Sequence, residues 1–147
     1  MSLSDIVSDS PNSTGPNSLD DARQFLQSAG IDGWLTRDYR YTNPVFEAAL
    51  GRRVERLTRP VWLWIPANGE PQLLAHEVDI AHFPSDSPPV TAYVNRLQMI
   101  AGLKAGLHSA KTVAMEYSPL YELPRVGRVD AGTIDLIRSF GVEVVSS

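Results

Sequence analysis

The chain has 147 residues, of which 43% are hydrophobic and 20% charged, with a formal net charge of -4. That length suffices for one domain with its own core, and the acidic balance excludes the basic footprint expected of a nucleic-acid or anionic-membrane binder. The absence of cysteine excludes disulfide frameworks and thiolate metal sites and fits a reducing compartment, so the expected location is cytoplasmic.

The densest apolar run, Val61 to Ile65, falls far below the ~18 residues of a membrane span, and the N-terminus carries no secretory signal pattern. Residues 1–17 are rich in Ser, Asp, Asn, Pro and Gly, so this segment is expected to be disordered, with the folded domain spanning 18–147. Ser18 opens a helix as its N-cap, supported by Asp20 and Asp21 near the positive end of the helix dipole. Leu19, Ala22, Leu26 and Ala29 share one face, and Gly30 supplies the stop.

Ile31 to Thr36 reads as a strand, and Arg37 to Asn43 as a polar, aromatic loop of the kind that carries ligands beyond strand carboxyl ends. Pro44 fits the first position of a short helix, PVFEAAL, closed by Gly51. Gly51 to Arg59 reads as a solvated linker. Pro60 to Ile65 and Gln72 to Ala75 then form a strand pair around a Pro- and Gly-rich turn. Trp62 and Trp64 lie on one face with Val61, Leu63 and Ile65 on the other, the pattern of a strand covered on both sides.

HEVDIAH, His76 to His82, invites a metal-site reading that its spacing refuses. A helical pair of histidine ligands needs positions i and i+4, whereas these two are separated by about 9 Å of rise and ~120° of rotation. Polar residues exposed at the surface after a strand are the expectation there. Phe83 to Val90 is a loop, and Thr91 to Leu107 shows a helical stripe of Val94, Leu97, Ile100 and Ala101. Glycine-rich phosphate and dinucleotide loops and the nucleophile-elbow pattern are absent, so no residue is assigned a catalytic or metal-binding role.

The last third, Lys111 to Ser147, contains a buried-strand pattern, a proline-punctuated segment, a helix capped by Asp130 and stopped by Gly141, and a Val-rich strand. Ala131, Ile134, Ile137 and Phe140 are the expected sheet-facing residues of that helix. Two strands joined through a helix predict a parallel crossover unit and a sheet edge at the C-terminus. That final strand has no sequel, which suggests a chain cut from a longer protein.

Three stretches carry a resemblance: ARQFLQSAGIDGWLT, PVWLWIPANGEPQLLA, and VAMEYSPLYELP followed by RVDAGTIDLIRSFGVEVVSS. Over residues 18–147 the chain resembles the N-terminal domain of the creatinase and Xaa-Pro peptidase family, which includes prolidases and Xaa-Pro aminopeptidases. The resemblance implies an α/β fold, a mixed β-sheet with helices on its faces and a ribonuclease H-like topology. It also implies a catalytic domain of pita-bread fold, absent from this chain, holding two divalent metal ions (Mn, Co or Zn).

On this resemblance the domain would be non-catalytic. It would form a homodimer and limit the partner's active site to short proline-containing peptides. By position, the loop with Asp38, Tyr39, Arg40 and Tyr41 would approach substrate. The alternatives are a stand-alone binding module that kept the fold, or the N-terminal domain of a creatinase-like amidinohydrolase.

Overall fold

A computed structural model describes Leu3, residues 18–124 and residues 127–147. The strands are β1 (Gly33–Asp38), β2 (Val61–Pro66), β3 (Gln72–His76), β4 (Val90–Tyr93), β5 (Thr112–Met115) and β6 (Glu143–Ser146). They form one six-stranded sheet in the order β4-β3-β2-β1-β5-β6. The described helices are α1 (Ser18–Ala29), α2 (Pro44–Leu50), α3 (Arg96–Gly106) and α4 (Ala131–Arg138).

β2 pairs antiparallel with both β1 and β3, whereas β1 with β5, β3 with β4 and β5 with β6 are parallel. Five strands therefore run one way, and their carboxyl ends share one edge of the sheet. The crossover from β5 through α4 to β6 places β6 at the border of the sheet, as the sequence pattern required.

The side-chain alternation of β2 divides the core in two. Val61, Leu63 and Ile65 join Trp34, Ala22 and Leu26 of α1, and Phe46 and Ala49 of α2 in one cluster. Trp62 joins Leu35, Leu103 of α3, and Ile134 and Ile137 of α4 on the opposite face. Helices thus cover both faces, and the central strands are apolar throughout because neither side meets water.

Local signals explain most boundaries. Asn43 caps α2, its side chain accepting from the Val45 amide, Pro44 follows at the first helical position, and Gly51 closes the helix at φ 82°. Asp130 caps α4 through the Thr133 amide, and Gly30 and Gly141 take the left-handed conformation expected after a helix. Ser18 lies within α1 as its first residue rather than before it. The disorder expected for residues 1–17 falls outside the described residues, apart from Leu3, which is helical and buried.

Several expectations are corrected. β1 starts and ends two residues later than predicted, because its ladder with β2 runs on through Arg37 opposite Trp62 and Asp38 opposite Val61. The region read as a loop running into a helix contains β4, parallel to β3. The helix begins only at Arg96, with Asn95 as its cap. Consequently Val94 and Leu97 are exposed, and Leu103 carries the buried face. Ala29 and Ala131 are likewise exposed, and Phe140 is only half-buried.

Within the supposed linker, Val54 and Leu57 are buried. Asp79, expected at the surface, is buried too, and its carboxylate accepts from the Thr58 and Arg59 amides and the Thr58 hydroxyl. This pins the 51–59 segment beside the 3-10 turn at Glu77–His82. β4 is anchored in turn by Tyr93, whose hydroxyl donates to the Pro60 carbonyl and whose burial pushes its pKa up to about 12.

Close packing of β1 against β2 depends on one glycine. A Cβ added at Gly33 would lie 2.2 Å from the Trp64 ring, inside any allowed contact. Gly33→Ala is expected to lower stability by about 1–3 kcal/mol through forced displacement of that ring. Urea unfolding would show a lower midpoint with an unchanged slope, and an unaltered midpoint would mean that the indole moves aside freely.

Candidate functional site

At the carboxyl end of β1 the chain turns through residues 39–42 before α2, and this turn is built around a buried carboxylate. Asp38 accepts from the amides of Tyr41, at 2.9 Å, and Asn43, at 2.9 Å. Between them Arg40 and Tyr41 take positive φ of 53° and 65°, a conformation that non-glycine residues adopt at a cost. The two amide bonds hold that strained turn in place.

Tyr41 is also committed to the fold. Its hydroxyl accepts from the Leu57 amide at 3.0 Å, and the Arg53 guanidinium lies over its ring at 4.5 Å. Tyr39 and Arg40 are exposed. Of the four residues expected near a substrate, the structure therefore leaves Tyr39 and Arg40 facing solvent, while Asp38 and Tyr41 shape the loop that presents them.

Beneath this loop lies Glu116, fully buried at the end of β5. It accepts from the Trp34 indole at 3.2 Å, the Thr36 hydroxyl at 2.5 Å and the Asn43 side-chain amide at 3.1 Å. Asn43 donates as well to the Arg37 carbonyl at 2.8 Å. One carboxylate thereby joins β1, β5 and the cap of α2. Burial pushes the Glu116 carboxyl above the ordinary glutamate range, and the bonds from Thr36, Asn43 and Trp34 pull the other way without cancelling it.

Sequence reasoning passed over Glu116, although a signal was present. Strand alternation puts it on the same face as Ala114, which points into the core.

At the opposite end of the same seam, the Asp32 carboxylate accepts from the amides of Lys111 and Thr112 at 2.7 and 3.0 Å. Those two bonds hold its carboxyl below the ordinary range. Among the described residues no group of three or more His, Cys, Asp or Glu could hold a metal ion. The buried carboxylates Asp38, Asp79 and Glu116 each receive N–H or O–H donors, which is the wrong complement for a cation.

The turn at the end of β1 is one of several features along the carboxyl edge. The loop after β5 holds Leu120 and Tyr121, again a pair at positive φ, 53° and 59°. Their side chains are 94% and 76% exposed. Tyr39 follows β1, Val78 follows β3, Val94 and Leu97 follow β4, and Leu120, Tyr121 and Leu123 follow β5. These are the large apolar side chains exposed among the described residues, and all lie at or beyond that one edge. Nearby, Arg37 reaches Asp130 at 3.4 Å, tying β1 to the start of α4.

The arrangement is thus a mixed sheet with helices on both faces, and the large apolar side chains exposed among the described residues follow the carboxyl ends of its strands. No family model matches the chain, and no curated protein matches it.

Solved structures do. The creatinase/prolidase N-terminal domain of an X-Pro dipeptidase from Streptococcus pyogenes superposes with a TM-score of 0.65 at 20% identity, covering 87% of this chain and 91% of that one. The corresponding domain of a dipeptidase from Streptococcus thermophilus gives 0.67 at 20% identity, with 90% and 92% covered. The prolidase from Pyrococcus horikoshii gives 0.64 at 18% identity, with 88% of this chain but 32% of that one. The chain has the fold of the creatinase/prolidase N-terminal domain.

The raised carboxyl of Glu116 has a signed consequence. A glutamate held above its unfolded pKa contributes nothing adverse below that value, and stability is lost as pH rises through the window toward the folded pKa. Asp32, held low, acts in the opposite sense and loses its contribution as pH falls. The stability of the wild type relative to Glu116→Gln should therefore decline as pH climbs from the ordinary glutamate value toward neutrality. Urea titrations of both proteins across that range check it, and a constant difference would sink the assignment.

Proposed function

We propose that this chain is a non-catalytic N-terminal domain serving a metal-dependent Xaa-Pro peptidase, and that its carboxyl edge is the working surface. The observation that carries the reading is the gathering of exposed apolar side chains along that edge, in a fold shared with N-terminal domains of X-Pro dipeptidases. Seven exposed large apolar side chains following the carboxyl ends of four strands, among the described residues, favour an interaction surface there. Leu120 and Tyr121 support the reading further, since a strained backbone that turns apolar side chains toward water gains nothing within the domain itself.

Two partners fit this edge. One is a catalytic domain, which would hold the two divalent ions and carry out water attack on the bond before proline. The other is a second copy of the chain in a homodimer, with the exposed Tyr39 and Arg40 standing where a short proline-containing peptide would pass. The domain's part in the reaction is then to wall and size the entrance.

Sedimentation of the purified chain and of a Leu120→Asp, Tyr121→Ser variant tests the edge. The wild type is expected to self-associate and the variant to be monomeric, with unfolding free energies within about 0.5 kcal/mol of each other because neither side chain is buried. A wild type that stays monomeric at every concentration would remove the homodimer from the proposal. The chain alone, supplied with Mn²⁺, should not hydrolyse Xaa-Pro dipeptides, and metal-dependent turnover intrinsic to it would overturn the non-catalytic reading.

A further inference from the structure

On the face of the sheet away from α1 and α2, a cleft of about 200 Å³ opens between α3 and the strands β2 and β3. Its floor is formed by Leu35, Trp62, Trp64 and Leu74, and its wall by Gly102 and Gly106 of α3. The two glycines stand four residues apart and so share one helix face. Gly102 has a packing reason, since a Cβ there would lie 2.8 Å from a Leu74 methyl, which also shows that this face looks onto the sheet. Gly106 has none: a Cβ there would meet no atom within 4 Å. A helical glycine is unfavourable relative to alanine, and what this one leaves is space.

The chemistry of the lining selects the occupant. None of the residues lining the cleft is charged, and the Arg37 guanidinium over the Trp62 ring is already paired with Asp130 at 3.4 Å, so a carboxylate, phosphate or ammonium would be desolvated there without a counter-charge of its own. Two indoles on the floor favour a flat ring in offset or edge contact. The volume exceeds the about 150 Å³ of an apolar cavity that takes up benzene. Polar groups are few: Gln72 and Thr91, both exposed, stand at the mouth. An oxygen on the ligand would complement them.

We propose that the cleft between α3 and the β2–β3 face is a binding site for a neutral, planar aromatic molecule of one or two rings carrying a hydroxyl or carbonyl oxygen. The site is separate from the carboxyl edge and independent of the peptidase reading. Both indoles report on it directly.

The test is titration of the isotope-labelled chain with 2-naphthol, following indole N–H resonances by NMR. Saturable shifts of the Trp62 and Trp64 signals are expected, with Trp34 on the other face unmoved. The anionic 2-naphthoate should bind at least tenfold more weakly. Gly106→Leu should abolish the shifts by filling the cleft, whereas Gly106→Ala should retain them. Should Gly106→Leu fail to fold, Thr91→Phe, at an exposed strand position that accepts aromatics, blocks the mouth and should give the same loss. No saturable shift in the wild type, equal binding of naphthoate, or shifts that survive the blocking variant would each overturn the proposal.

Discussion

A single buried carboxylate sets the geometry at the centre of this domain. Glu116 cannot be left unpaired in an apolar interior, since an isolated buried charge or an unmatched donor costs several kcal/mol. Its three donors come from positions far apart in the chain: Trp34 and Thr36 on β1, and Asn43 at the cap of α2. Satisfying it fixes the register of the parallel β1–β5 seam, the start of α2 and the path of the intervening turn together. Asp32 performs the matching task at the other end of the seam with two backbone amides of β5. The parallel pair is thus clamped at both ends by acids of opposite pKa tendency.

The clamp explains why the turn after β1 can be strained. Two consecutive left-handed residues, Arg40 and Tyr41, would relax elsewhere if their flanks were free. Asp38 and Asn43 hold those flanks, so the exposed Tyr39 and Arg40 are presented on a rigid frame. The loop after β5 repeats the device with Leu120 and Tyr121. Both loops leave the same edge of the sheet because β1 and β5 are parallel. Gathering of apolar exposure at that edge is thus a consequence of topology as much as of composition.

Much of the architecture was legible in the sequence because its signals are local. Pro44 at the start of α2, the cap at Asp130, the glycine stops at 30, 51 and 141, and the two-sided apolar pattern of β2 act within a few residues. Misreadings arose where a distant partner decides. β4 is a short strand at the sheet border whose identity comes from the β3 ladder, so Val90 reads as the end of a loop and Tyr93 as part of a helical stretch. Val54 and Leu57 lie in a basic, irregular stretch and are buried only because Asp79 holds that stretch against the domain.

The candidate site divides along the same line. By itself the sequence determined the crossover at the C-terminus, the glycine stops of three helices and the placing of residues 39–41 after a strand, since all of these follow from periodicity and turn chemistry. Tertiary structure alone decided which members of that loop face solvent, that Glu116 lies beneath it, and that two glycines of α3 stand over a pair of indoles. Those facts rest on contacts between residues dozens of positions apart, and a hydrogen bond or a cavity exists only once separate elements have been brought together.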